Sequence, residues 1–77
     1  MAWQTDIIDV RSAHLQAGKA ELSDRWHIAA HHYLYCLEQA NLARDRRASR
    51  FFAMKLSRAY RNMGLLHKAD YYGSLIS

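Results

Sequence analysis

Apolar residues recur along this chain at helical spacing, and no proline interrupts them. The clearest stripe is Trp26, Ala30, Tyr33, Leu37 and Ala40, at steps of 4, 3, 4 and 3. That spacing predicts a helix over about Ser23–Ala43, with Ser23 or Asp24 near its start. Ile28 and Tyr35 fall on roughly the opposite side at about 100° per residue. A helix apolar on two sides belongs in the middle of an assembly or against a second chain. Upstream, Ile7, Ile8, Val10, Ala13 and Leu15 predict a first helix over about Gln4–Ala17. Thr5 or Asp6 can cap it, and Gly18 offers a left-handed stop. Downstream, Phe52, Leu56, Ala59 and Met63 mark a third helix that ends at Gly64. Leu66, Ala69, Tyr72 and Ile76 mark a fourth over about Leu66–Leu75, with Gly73 weakening its last turn. The connection Arg44–Ser49 contains no helix breaker. A break is expected there because an unbroken helix of about 40 residues would be long against the usual range. Asp45 or Ser49 can cap the third helix. The expected fold is all-α, with four helices as two helix–turn–helix hairpins, either repeat-like or a small helical bundle.

The two ends of the chain share a plan. Val10–Trp26 lies over Leu56–Tyr72 at an offset of 46 residues, matching Ala13 to Ala59, Gly18 to Gly64, Asp24 to Asp70 and Trp26 to Tyr72. Chance similarity between amphipathic hairpins and duplication explain this equally well.

Within the second hairpin, Ala53, Leu56, Tyr60, Gly64 and Ala69 follow in an order and spacing that resembles a tetratricopeptide repeat. The resemblance covers residues 53–76, about a third of the chain. Ser57 replaces the small residue, usually glycine, that follows the leucine. Gly73 stands where a bulky aromatic is preferred, and the closing proline is absent. The 46-residue offset also differs from the family period of about 34. The resemblance implies a scaffold that binds peptides or proteins. Such a scaffold normally stacks at least about three repeats, so this chain would pair with itself or with a larger partner.

Size sharpens that expectation. Seventy-seven residues make one all-helical domain, 1–77, that buries only about 60% of its unfolded surface. Cys36 is the single cysteine, so disulfides cannot brace it. Self-association is the remaining common brace, and a homodimer is expected. The lone thiol suits a reducing compartment. No basic and then apolar leader opens the chain, so the cytoplasm is the default location. The longest uncharged run, His27–Leu37, is too short and too polar to span a bilayer, so no membrane partner is expected.

Eleven Lys and Arg face seven Asp and Glu, a formal net charge of +4. The excess permits nucleic acid or an acidic protein surface as partner and requires neither. It is concentrated. Arg44, Arg47, Arg50, Lys55, Arg58 and Arg61 share an arc of roughly 140° if helix three is continuous through them. Phe51 and Met54 lie in the same arc, away from the Phe52–Leu56–Ala59–Met63 stripe. Arginine forks there would pair carboxylates or phosphates, and the exposed aromatic would fill a pocket. The bland alternative is a solvated face with Phe51 and Met54 covered by another helix or chain.

Other chemistry has less support. His27 and His31 are spaced i, i+4 beside Asp24 and Glu38, and His32 pairs with Cys36 at the same spacing. Neither forms a His-Glu-x-x-His helix, and a polar surface explains the first pair more simply. No phosphate loop or nucleophile elbow is present, and Cys36 lies mid-helix without an oxyanion donor. No catalytic residue, metal or cofactor is therefore expected. Tyr33, Tyr35, Tyr60, Tyr71 and Tyr72 suit core and interface positions with a polar tip at the edge. The leading expectation is a protein-binding module, an adaptor or inhibitor, acting through Arg44, Arg47, Arg50, Phe51, Met54, Lys55, Arg58 and Arg61. The alternative is a nucleic-acid-binding regulator that uses the same helix.

Overall fold

The computed structural model describes residues 2–76, with side chains described from Asp9 onward. Four helices follow one another: α1 (Ala2–Leu22), α2 (Trp26–Leu42), α3 (Arg46–Asn62) and α4 (Leu66–Ser74). No strand occurs among the described residues. Among them, too, no helix is long and apolar enough to cross a membrane. Each helix packs its backbone against the next in sequence, so the hairpins are three overlapping ones. The result is a slab of 39 × 29 × 14 Å, thin enough for two layers of helix.

The three connections are one structure used three times. In each, the amide of the last turn residue reaches back five residues: Arg25 N to Ala20 O at 2.8 Å, Asp45 N to Ala40 O at 3.0 Å, and Leu65 N to Tyr60 O at 2.9 Å. The residue before it has a left-handed backbone, with φ 58° at Asp24, 56° at Arg44 and 78° at Gly64. That residue also donates to the carbonyl three back, on Glu21, Asn41 and Arg61. This pairing is the Schellman closure, which satisfies carbonyls the ending helix would leave open. Only Gly64 takes the left-handed conformation freely. For a side-chain-bearing residue such as Arg44 it costs about 1–2 kcal/mol.

The turns recur every 20 residues, and so does burial. Ala13, Tyr33 and Ala53 are buried at one register position; Ala17, Leu37 and Ser57 at a second; Ala20, Ala40 and Tyr60 at a third. A hairpin therefore repeats at 40 residues, and the expected 46-residue register is wrong. Gly18 is the cause of that error. It lies inside α1, which runs four residues beyond it, and Asp24, not Gly18, occupies the position of Gly64. The expected bounds shift accordingly. The first helix passes Ala17, the second starts at Trp26 with Arg25 as a cap residue that makes no side-chain cap bond, and the break after Leu42 is present. Asp45 caps α3, its carboxylate accepting from Ala48 N at 3.0 Å. The expected roles of Ile7 and Ile8, and of Thr5 or Asp6 as caps, lie outside the described side chains.

The expected stripes pack largely as read. On α2, Ala30, Tyr33, Leu37 and Ala40 are buried and Trp26 is half-buried. On α3, Phe52, Leu56 and Ala59 are buried. On α4 only Ala69 is fully enclosed, and Leu66, expected inside, is exposed. Where the second hairpin departs from the repeat pattern, the departures meet each other. The Ser57 hydroxyl donates to Ala69 O at 2.7 Å, and a Cβ on Gly73 would stand 3.4 Å from Ser57 Oγ. The stacked Tyr60 and Tyr72 rings, 5.5 Å apart, complete the α3–α4 contact.

The two glycines make opposite demands. A Cβ on Gly18 would meet nothing within 4 Å, so Gly18→Ala is expected to raise stability by about 0.5–1 kcal/mol. Gly64→Ala forces a side chain into the left-handed region and is expected to lower it by about 1–2 kcal/mol. Urea unfolding of the two variants checks both signs.

Candidate functional site

The seven α3 residues of the expected basic face do share its outward side. Arg47, Arg50, Met54, Arg58 and Arg61 are exposed, Phe51 is 38% exposed, and Lys55 is half-buried. Arg44 does not belong with them. Its left-handed backbone ends the path of α2, so the continuous helix on which the sequence arc depended does not exist. The face is also not uniformly free. Arg58 is drawn toward α1, its Nη2 lying 3.5 Å from Glu21 Oε1 and its guanidinium 5.8 Å from the centre of the Trp26 ring. Arg50 Nε donates to Ile76 O at 3.0 Å. Lys55 lies over the Phe51 ring at 5.7 Å. Phe51 in turn meets His14 of α1 edge-on at 5.6 Å.

These contacts expose a groove that the sequence reading missed. α1 and α3 meet through side chains above α2, and between them runs an open groove of about 620 Å³ with Tyr33 at its floor. Its walls carry Leu15 and Leu22, 60% and 88% exposed. Around these stand Arg11, His14, Lys19 and Lys55. Among the described residues, Glu21 is the only acid that lines it. The groove needed the spatial pairing of helices 40 residues apart in register, which no local spacing encodes. One signal was present in the sequence: Leu15 lies off the Ala13–Ala17–Ala20 stripe and so had no core to enter.

The floor is held by a buried polar chain. Tyr33 is 1% exposed, and a hydroxyl so deep costs free energy unless it is paired. It donates to Glu21 Oε2, and Glu21 is neutralised in turn by Arg58. Burial, then the bond to Glu21, pushes the Tyr33 hydroxyl pKa well above the usual tyrosine range. Among the described residues no buried side-chain nitrogen or oxygen lacks a partner.

Cys36 is fully buried, its Sγ 3.7 Å from Val10 O. Burial pushes its thiol up to about 11. A thiol so held is a poor nucleophile at neutral pH. His27 and His31 are exposed on α2. Among the described residues no three His, Cys, Asp or Glu converge as a metal ion would need.

The chain matches no protein-family model, no curated protein and no solved structure. The likeness to a tetratricopeptide hairpin rests on Ala53, Leu56, Tyr60, Gly64 and Ala69.

Glu21→Leu strands the Tyr33 hydroxyl and is expected to cost about 1–3 kcal/mol. Adding Tyr33→Phe should recover part of that loss, and a double-mutant cycle in urea measures the coupling. Alkali acts through Cys36. Well below pH 9 the thiol is neutral in both states and adds no pH dependence to stability. Between 9 and about 11 the unfolded thiol ionises while the buried one does not, so stability falls, by at most about 2–3 kcal/mol. The raised tyrosines Tyr33 and Tyr72 extend the fall above pH 10. Unfolding free energies measured across this range should lose the lower limb in Cys36→Ala.

Proposed function

We propose that this chain is a protein-binding module that takes an acidic, partly apolar segment of its partner along the outer side of α3 and into the α1–α3 groove. One observation carries the reading: exposed Leu15 and Leu22 share the groove with Arg11, His14, Lys19 and Lys55, while the one carboxylate among its described residues, Glu21, is already engaged by Tyr33 and Arg58. A groove of one free sign with apolar walls suits a segment whose carboxylates flank a hydrophobic side chain. Arg47, Met54 and Arg61, exposed on the adjoining side of α3, extend the surface. Such a module acts as an adaptor, or as an inhibitor that occludes its partner's interface. No step of this reading requires catalysis.

Self-association belongs to the same proposal. On α4, Leu66 and Tyr71 are exposed, apolar groups that a second copy would cover. The nucleic-acid alternative is less favoured, because the groove walls offer leucines where a phosphate backbone would meet them.

A peptide library presented to the immobilised protein tests the reading. Acidic sequences with an interposed Leu or Phe should be enriched, and Lys19→Glu with Lys55→Glu should abolish capture while leaving the helical content unchanged. Binding of oligonucleotides that weakens steeply with salt, with no peptide enrichment, would favour the alternative. Light scattering at micromolar concentration checks the dimer.

A further inference from the structure

A second part of the molecule has a binding chemistry of its own, independent of the groove. At the α2–α3 turn, Arg44, Arg46 and Arg50 line one open cleft of about 520 Å³ with Asn41, Ser49 and Leu75. No acid lines it. The adjacent Asp45 is turned to the neighbouring cleft, where its carboxylate caps Ala48. Three arginines line this one cleft, and their like charges repel one another in the absence of an anion. Arg50 is braced from behind by its Nε bond to Ile76 O at 3.0 Å, which leaves its terminal NH₂ groups as donors. The Ser49 hydroxyl donates to Asn41 Oδ1 at 2.7 Å, which leaves the Asn41 amide nitrogen as a further donor.

We infer that this cleft binds a dianionic phosphate group, free or as the monoester of a small molecule. Guanidinium forks match the paired oxygens of phosphate. Three positive charges favour a dianion over the single charge of a phosphodiester. Five of the six lining residues are polar, Leu75 being the exception, so a charged group, not an apolar one, is the part recognised.

The left-handed Arg44 supplies a test that unfolding cannot mimic. Gly64 occupies the equivalent position of the next turn, so Arg44→Gly should leave the melting temperature unchanged or higher. The same variant should weaken phosphate binding by about fivefold or more, as should Arg46→Gln and Arg50→Gln. The measurement is a nuclear magnetic resonance titration of the whole chain with inorganic phosphate, glycerol phosphate and dimethyl phosphate, at about pH 7.5 where the first two are dianions. Saturating shifts confined to Asn41–Arg50 and Leu75 support the site. The tighter of the first two ligands tells free phosphate from monoester. Arg25→Gln, at the α1–α2 turn, should leave the affinity unchanged. The inference is overturned if shifts do not saturate, if they spread equally to Arg58 and Arg61, or if Arg44→Gly keeps full affinity. Preference for dimethyl phosphate also overturns it, and would point to a nucleic-acid backbone.

Discussion

The hydroxyl of Tyr33 has to be paired, and much of the molecule depends on that demand. Tyr33 is the largest fully buried side chain, placed where α1, α2 and α3 come together. Its ring supplies volume that the surrounding alanines cannot. Its oxygen is then largely withdrawn from water. Glu21 answers it from the last turn of α1, and it can do so only because α1 continues through Gly18. A helix stopped at Gly18 would place Glu21 in a turn. The helical weakness of one glycine is about 1 kcal/mol, less than the desolvation penalty of an orphaned hydroxyl. Tertiary pairing therefore overrides the local stop.

The other constraint is thinness. Among the described residues, nine of the fifteen buried apolar ones are alanine. Small side chains let helix axes approach closely, but each removes little apolar surface from water. A core of this kind depends on every helix end being satisfied, since it has little burial to offset an unpaired carbonyl. The identical Schellman closures meet that need at three places. They also fix the direction in which the chain re-enters, so the same register positions return to the core every 20 residues.

The stripes on α2 and α3 were legible because their apolar positions are regularly spaced and unbroken. The break between those helices was legible from length alone, and its cap as one of two candidates, Asp45 or Ser49, of which the structure uses Asp45. The end of α1 was not, because Gly18 is a stronger local signal than Asp24, and the left-handed tolerance of aspartate shows only when the turn forms. Arg44 misled for the same reason. Nothing in an arginine announces a positive φ, so it was read onto a helical face it terminates. The α1–α3 groove lies beyond any periodicity argument, since it joins residues from helices whose relative rotation is set by packing.

That packing divides a basic surface that looks single in the sequence. Arg58 serves as the counter-ion of Glu21 and lies over Trp26, so its charge is partly spent before any partner arrives. Arg50 is tethered to Ile76 and leans away from the groove, with Arg44 and Arg46. Lys55 falls on the groove side, with Arg11 and Lys19 of α1. One arc of like charge thus becomes a structural ion pair, a groove with apolar walls, and a polar cleft. Their linings differ, so their ligands should differ also. A segment that needs hydrophobic contact suits only the groove, and a compact anion suits only the cleft. What each cation is free to contact is therefore set by the apolar or polar neighbours that packing gives it, more than by the net charge.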